Sequence, residues 1–211
     1  KLDLVTVWVR PDAMRTELKT LVSLVGEPLA DPAWLPAALL ARRAAQDVKL
    51  ALVGEGADEL FGGYPTYIGA GLAEQFARLP RWVKSLVRRG VEALPPSEKK
   101  VTISFLLKRF VQGADLDSLA RHRLWVSNIA PALLRRLGVE PPALESAENE
   151  GGHLLDRLQR WDLESPLAEG LLTKADRSSM SSALELRAPF LDEAVMEFAK
   201  TLPVEQRVRR F

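Results

Sequence analysis

The densest grouping of reactive side chains lies in Val53-Gly54-Glu55-Gly56-Ala57-Asp58-Glu59-Leu60-Phe61-Gly62-Gly63-Tyr64. The two leading glycines allow a ligand to approach the backbone closely. Three carboxylates within five positions offer hard oxygen ligands, the chemistry of a Mg²⁺ anchor beside a phosphate. Glu55 stands three residues before Asp58 and four before Glu59, so a helical turn here places them on one face. Ionised carboxylates are also favoured at a helix N-terminus. An acidic N-cap closed by Gly62-Gly63 uses the same residues for structure alone.

A second grouping is Leu171-Leu-Thr-Lys-Ala-Asp-Arg-Ser-Ser-Met-Ser-Ser-Ala-Leu-Glu-Leu-Arg-Ala-Pro-Phe-Leu-Asp192. Asp176 and Met180 share a helical face, and Pro189 drives Ala188 out of the α region and ends the helix. Arg187 is then presented at a helix exit, where a guanidinium suits bidentate contact with phosphate or carboxylate. An ion pair with Glu185 or Asp192 is the structural alternative. The four serines around Met180 have no histidine near them in sequence and read as a small, close-packed face rather than nucleophiles.

Several chemistries are excluded. There is no cysteine, hence no disulfide, thiol nucleophile or thiolate metal site. His122 and His153 are far apart, which points away from zinc and toward a cation held by oxygen, such as Mg²⁺. The first grouping reads GxGxxE, so it lacks the third glycine of the dinucleotide fingerprint, and neither GxxxxGK[ST] nor GxSxG occurs. With 29 Lys+Arg against 28 Asp+Glu, the net charge of +1 gives no bulk attraction to nucleic acid. The basic pairs Arg42-Arg43, Arg88-Arg89, Lys99-Lys100, Arg121/Arg123, Arg135-Arg136 and Arg209-Arg210 are scattered without stacking aromatics, and read as solvated surface. No apolar run approaches the ~20 residues of a membrane span and no signal segment opens the chain, so a cytoplasmic location is expected. The tryptophans at 8, 34, 82, 125 and 161 sit in apolar patterns and read as core or interface.

The elements that must position these groups follow from periodicity. A chain of 211 residues, 47% hydrophobic and 27% charged, forms one domain or at most two small ones. Leu2 to Val9 reads as a strand closed by Pro11 and Asp12, and Lys49 to Val53 as a parallel strand covered on both faces. Helices around Ala13 to Val25 and Ala33 to Gln46 lie between them, separated by the breaker-rich Gly26-Glu-Pro-Leu-Ala-Asp-Pro32. Strand, helices and strand make a crossover, which implies an α/β sheet with its ligand site at the carboxyl ends of the strands. No further strand is evident after Val53. Helical spacing recurs through Tyr67–Phe76, Arg81–Leu94, Val101–Val111, Leu116–Val126, Ala130–Leu137 and Leu154–Leu163, with exposed loops at Leu94–Lys100 and Gly138–Gly152.

Together these segments resemble the asparagine synthetases that use glutamine. Val53 to Tyr64 is similar to the family's (S/T)GEGADELFGGY signature, Leu171 to Asp192 to LxKxDRxSMxxxLExRxPFLD, and Glu27 to Pro32 to EPxADP. They occur in the family's order, and the likeness covers most of the chain. It implies a parallel-sheet α/β ATP-pyrophosphatase domain, adenine nucleotide alpha hydrolase-like, over residues 1–211, with a mostly helical C-terminal part. It also implies a carbon–nitrogen ligase: ATP adenylates the side-chain carboxylate of aspartate, and ammonia delivered from glutamine displaces AMP. ATP and Mg²⁺ are the cofactors so implied. Asp58 matches the acid that helps hold Mg²⁺, and Glu55 the acid near the adenylated intermediate, an orienter or base for the amine. Gly54 and Gly56 match glycines lying against the nucleotide, and Val53 stands where the family usually has Ser or Thr. Asp176 and Arg187 match residues that position substrate or phosphate. On the family's pattern an SGGxDS pyrophosphate loop and a glutaminase domain are expected before Lys1, and a catalytic Lys after Phe211. Residues 1–211 alone are then expected to be inactive, within a parent whose states include a homodimer, without nucleic-acid or membrane partners. Two other readings stay open: a relative that closes β-lactams or cyclises peptides, and a non-catalytic interaction module.

Overall fold

A computed structural model describes residues 4–26, 29, 31–95, 102–129, 131–141 and 151–208. Residues 96–100 and 142–150 of the expected loops Leu94–Lys100 and Gly138–Gly152 lie outside the described residues, as do Lys99-Lys100, Arg209-Arg210 and part of the turn at 27–30. The chain divides into two compact units, Lys1–Leu60 with Trp161–Thr201, and Phe61–Arg160 with Leu202–Phe211.

In the first unit, α1 (Pro11–Val25) starts on a proline at its first turn and stops at Gly26, whose φ of +77° is the left-handed conformation that closes helices. Its Leu21 is buried with Trp34, Leu35 and Ala38 of α2 (Trp34–Ala44), a face spaced for a helix. Arg42 on α2 meets Glu17 on α1 at 2.8 Å, and this hydrogen-bonded guanidinium holds the Glu17 carboxyl below its ordinary pKa. β1 (Leu50–Leu52) follows, then the short α3 (Ala57–Phe61).

The expected first strand is not formed in its described part: residues 4–10 have no ladder partner, and Leu4 and Trp8 are 88% and 86% exposed. A β-branched, apolar sequence becomes a strand only when a neighbour takes up its backbone groups. Pro11 opens a helix rather than closing a strand.

The second unit carries α4 (Pro65–Ala77), α5 (Arg81–Glu92), α6 (Ile103–Gly113), α7 (Ser118–Val126) and α8 (Pro131–Arg136). α9 (Leu154–Asp162) begins in it, and α12 (Val204–Arg207) closes it. Thr102 caps α6 by accepting the Phe105 N–H at 3.2 Å, and Asp117 caps α7 through the N–H groups of Leu119 and Ala120. Tyr67, Ala70, Ala73 and Phe76 make the buried stripe of α4, and Phe110 lies between Phe76 and Trp125 at ring distances of 5.4 and 5.9 Å. His122 stacks on Tyr67 at 5.6 Å. Arg121, 2% exposed, reaches Glu74 at 2.5 Å and lies over the Trp125 ring, while Arg207 binds Asp156 and Gln159 at 2.5 and 2.6 Å. Trp34 and Trp125 are core residues, whereas Trp8 and Trp82 are exposed.

The first unit is completed by a π-helix (Leu163–Leu171), α10 (Leu172–Met180), β2 (Glu185–Arg187), a 3₁₀ turn (Pro189–Leu191) and α11 (Glu193–Thr201). β2 was not evident from the sequence. It pairs parallel to β1 in the register Leu50 with Glu185, Ala51 with Leu186 and Leu52 with Arg187. The described chain is therefore mostly helical with one two-stranded parallel sheet. Among the described residues, no helix is long and apolar enough to cross a membrane.

Candidate functional site at the carboxyl edge of the sheet

The Val53 N–H continues the ladder past β1 by donating to the Arg187 carbonyl at 2.9 Å. Both strands run the same way, so the loop after Val53 and the segment after Arg187 leave one edge of the sheet together. A Cβ on Gly54 would meet nothing within 4 Å, whereas one on Gly56 would fall 2.3 Å from Leu191 Cδ2. Gly56 also has φ +92°, so glycine is needed there twice over: for the left-handed backbone and for contact with Leu191.

The three acids do not share a face. α3 starts at Ala57, leaving Glu55 in the preceding turn and half-buried, while Asp58 is exposed and Glu59 is 2% exposed. The Leu60 N–H closes the first helical bond to the Gly56 carbonyl at 3.0 Å.

In the second grouping the helix ends at Met180, not before Pro189. Ala183 adopts φ +52°, and the Glu185 N–H then donates to the Lys49 carbonyl to begin β2. Arg187 thus lies on a strand rather than at a helix exit, and it is paired with Glu185 two residues back on the same side. Both members are largely exposed, so the pair is worth ~0–1 kcal/mol and yields readily to a stronger anion. Asp176 and Met180 occupy the exposed side of α10. Ser178 and Ser179 are buried: Ser178 Oγ donates to the Trp34 carbonyl at 3.1 Å and Ser179 Oγ to the Asp176 carbonyl at 3.3 Å.

Among the described residues, the Asp176 side chain has no ion pair or hydrogen bond to Glu55, Asp58 or Arg187, and no group of three His, Cys, Asp or Glu could cage a metal. A single exposed carboxylate such as Asp58 is compatible with Mg²⁺, which takes one or two carboxylates and draws its other ligands from phosphate and water.

Two features escaped sequence reading. Leu191 forms the wall behind Gly56, and Asp31 meets Lys174 at 2.8 Å across 143 residues. For the latter, the only local signal was an aspartate set before Pro32 at the start of a helix.

The asparagine synthase family profile matches residues 1–210. Asparagine synthetase [glutamine-hydrolyzing] 1 of Bacillus subtilis (strain 168) is 29% identical over 95% of this chain and 32% of its own length. A protein of Mycobacterium tuberculosis (strain ATCC 25618 / H37Rv), provisionally named asparagine synthetase [glutamine-hydrolyzing], is 33% identical over 96% of this chain and 31% of its own. Amidase chry2 of Gibberella zeae (strain ATCC MYA-4620 / CBS 123657 / FGSC 9075 / NRRL 31084 / PH-1) is 25% identical over 78% of this chain and 27% of its own. The chain spans about a third of the length of the first two relatives. No solved structure is a significant match. With the profile covering nearly every residue and both signatures meeting at one sheet edge, the chain belongs to the asparagine synthase family.

Proposed function

We propose that both units form one cytoplasmic synthetase domain of a carbon–nitrogen ligase, which activates aspartate with ATP and passes the acyl group to ammonia drawn from glutamine. The observation that carries this reading is the Val53 to Arg187 hydrogen bond, which brings the glycine-acid loop and the second signature to one edge. At that edge the backbone of Val53, Gly54 and Gly56 lies against the nucleotide. Asp58 holds Mg²⁺, which when bound neutralises charge on the pyrophosphate. Arg187 exchanges Glu185 for a substrate carboxylate or phosphate, and Asp176 orients the substrate from α10. Glu55 orients the amine or takes a proton from it as its nitrogen attacks the β-aspartyl-AMP carbonyl, and AMP departs with the bonding electron pair.

The test uses this chain within its full-length parent protein, assayed for aspartate-dependent pyrophosphate exchange into ATP and for asparagine formation. Asp58→Asn is expected to lower turnover by ~100-fold, or ~2.7 kcal/mol of activation free energy, with the melting temperature unchanged. Glu55→Gln should spare the exchange and slow asparagine formation. Near-normal turnover in Asp58→Asn, or equal loss of both activities in Glu55→Gln, contradicts the roles. A panel of acids carrying an internal amine distinguishes a ring-closing relative: AMP release with one of them, and none with aspartate, favours that alternative.

A further inference from the structure

α10 is fixed to the start of α2 by two polar side chains, while its Asp176 is exposed. Lys174 and Ser178 are one turn apart, and both grip the start of α2: Lys174 Nζ lies 2.8 Å from Asp31 Oδ2, and Ser178 Oγ donates to the Trp34 carbonyl at 3.1 Å. Asp31 acts in two directions, because its Oδ1 also accepts the Ala33 N–H at 2.9 Å and so fixes the entry to α2. Successive residues of a helix turn by about 100°, which places Asp176 roughly 200° from Lys174, on the opposite and exposed side. Lys174 is only 14% exposed, so its charge is partly desolvated and Asp31 is its partner there.

We propose that Asp31 and Lys174 are positioning residues, a clamp that sets the rotation of α10 and thereby the direction in which Asp176 is presented to substrate. The substrate half of this statement rests on the role proposed above for Asp176; the clamp itself does not. Asp31→Asn separates the two duties of the residue, since asparagine keeps an oxygen for the Ala33 N–H and loses the charge that holds Lys174.

The chain has no cysteine, so Asp176→Cys provides a unique attachment point for a nitroxide on the full chain. Adding Asp31→Asn or Lys174→Gln should narrow the spectrum of the label, and Lys174→Arg should leave it unchanged. Identical spectra in all four proteins overturn the clamp, whatever the enzyme does. In the active protein, Asp31→Asn should raise the KM of the substrate that Asp176 holds by ~10-fold with kcat changed less than twofold, and Lys174→Arg should retain the low KM. The same Asp31→Asn change in an Asp176→Asn background should add less than twofold. Losses that multiply, or that fall on kcat alone, overturn action through Asp176. Absence of ligase activity in the wild type defeats the functional reading, while the spectra still decide the clamp.

Discussion

Both units bury some charges, Glu59 and Asp162 in the first and Arg121 in the second, but the candidate site residues of the two signatures differ from these. In Phe61–Arg160 with Leu202–Phe211, Arg121 is buried and Arg207 partly so, and each is met by an acid, so their charges serve the packing. In Lys1–Leu60 with Trp161–Thr201, Asp58, Asp176 and Arg187 are exposed at a sheet edge or on a free helix side. Burying a charge commits it to one partner, because the cost of stranding it is high, whereas an exposed charge can exchange partners at little cost. The difference separates charges that hold the protein together from charges available to a ligand.

The largest expected effect breaks the first half of that contrast. Glu74→Ala removes the acid from the buried Arg121 guanidinium and leaves it, among the described residues, the Leu116 carbonyl and the Trp125 ring, and should cost ~3 kcal/mol. Arg121→Met should cost less, since Glu74 is half exposed and returns to water. Denaturant titration of both variants checks the order, and a larger loss in Arg121→Met would invert the argument. A middle effect concerns the sheet edge, which depends on close backbone approach rather than buried charge. Gly56→Ala should cost ~2 kcal/mol from the positive φ and the collision with Leu191, whereas Gly54→Ala, with open space around it, should cost at most ~1 kcal/mol. Equal melting temperatures for the two would remove Leu191 from the account. The smallest effect lies at the exposed Glu17–Arg42 pair. The Glu17 carboxyl titrates lower in the folded chain than in the unfolded one. Its contribution is therefore complete above the unfolded pKa and is lost as pH falls through the lowered folded value. The stability difference between wild type and Glu17→Gln, followed from neutral pH into acid, should shrink in that interval and not elsewhere.

Most helices were legible because their apolar positions repeat at helical spacing, while two of their starts were set by caps at Thr102 and Asp117 that the spacing alone does not mark. Strands were not legible to the same degree, because strandness is conferred by a partner. Residues 4–10 have the pattern without a partner, while Glu185–Arg187, composed of good helix formers, has the partner without the pattern. The glycine-acid loop was found where the sequence placed it, after the second strand. The inside and outside of its acids were decided by where α3 begins, one residue after Gly56. The Asp31–Lys174 contact spans 143 residues, and the aspartate before Pro32 marks a helix start without naming its distant partner.

The three-residue register between β1 and β2 also has a consequence for how the protein comes into being. Helices close over a few residues, but this pairing joins positions more than about 130 apart, and such distant contacts pay their loop-closure entropy before they return any stability. A nascent chain that has emerged only as far as Ser182 already contains every letter of the glycine-acid loop, yet Val53 has no Arg187 carbonyl to bind. The sheet edge requires Glu185–Arg187 to be present before it can form. A chain ending at residue 183 would carry the first signature intact as sequence but without the Arg187 carbonyl that Val53 binds.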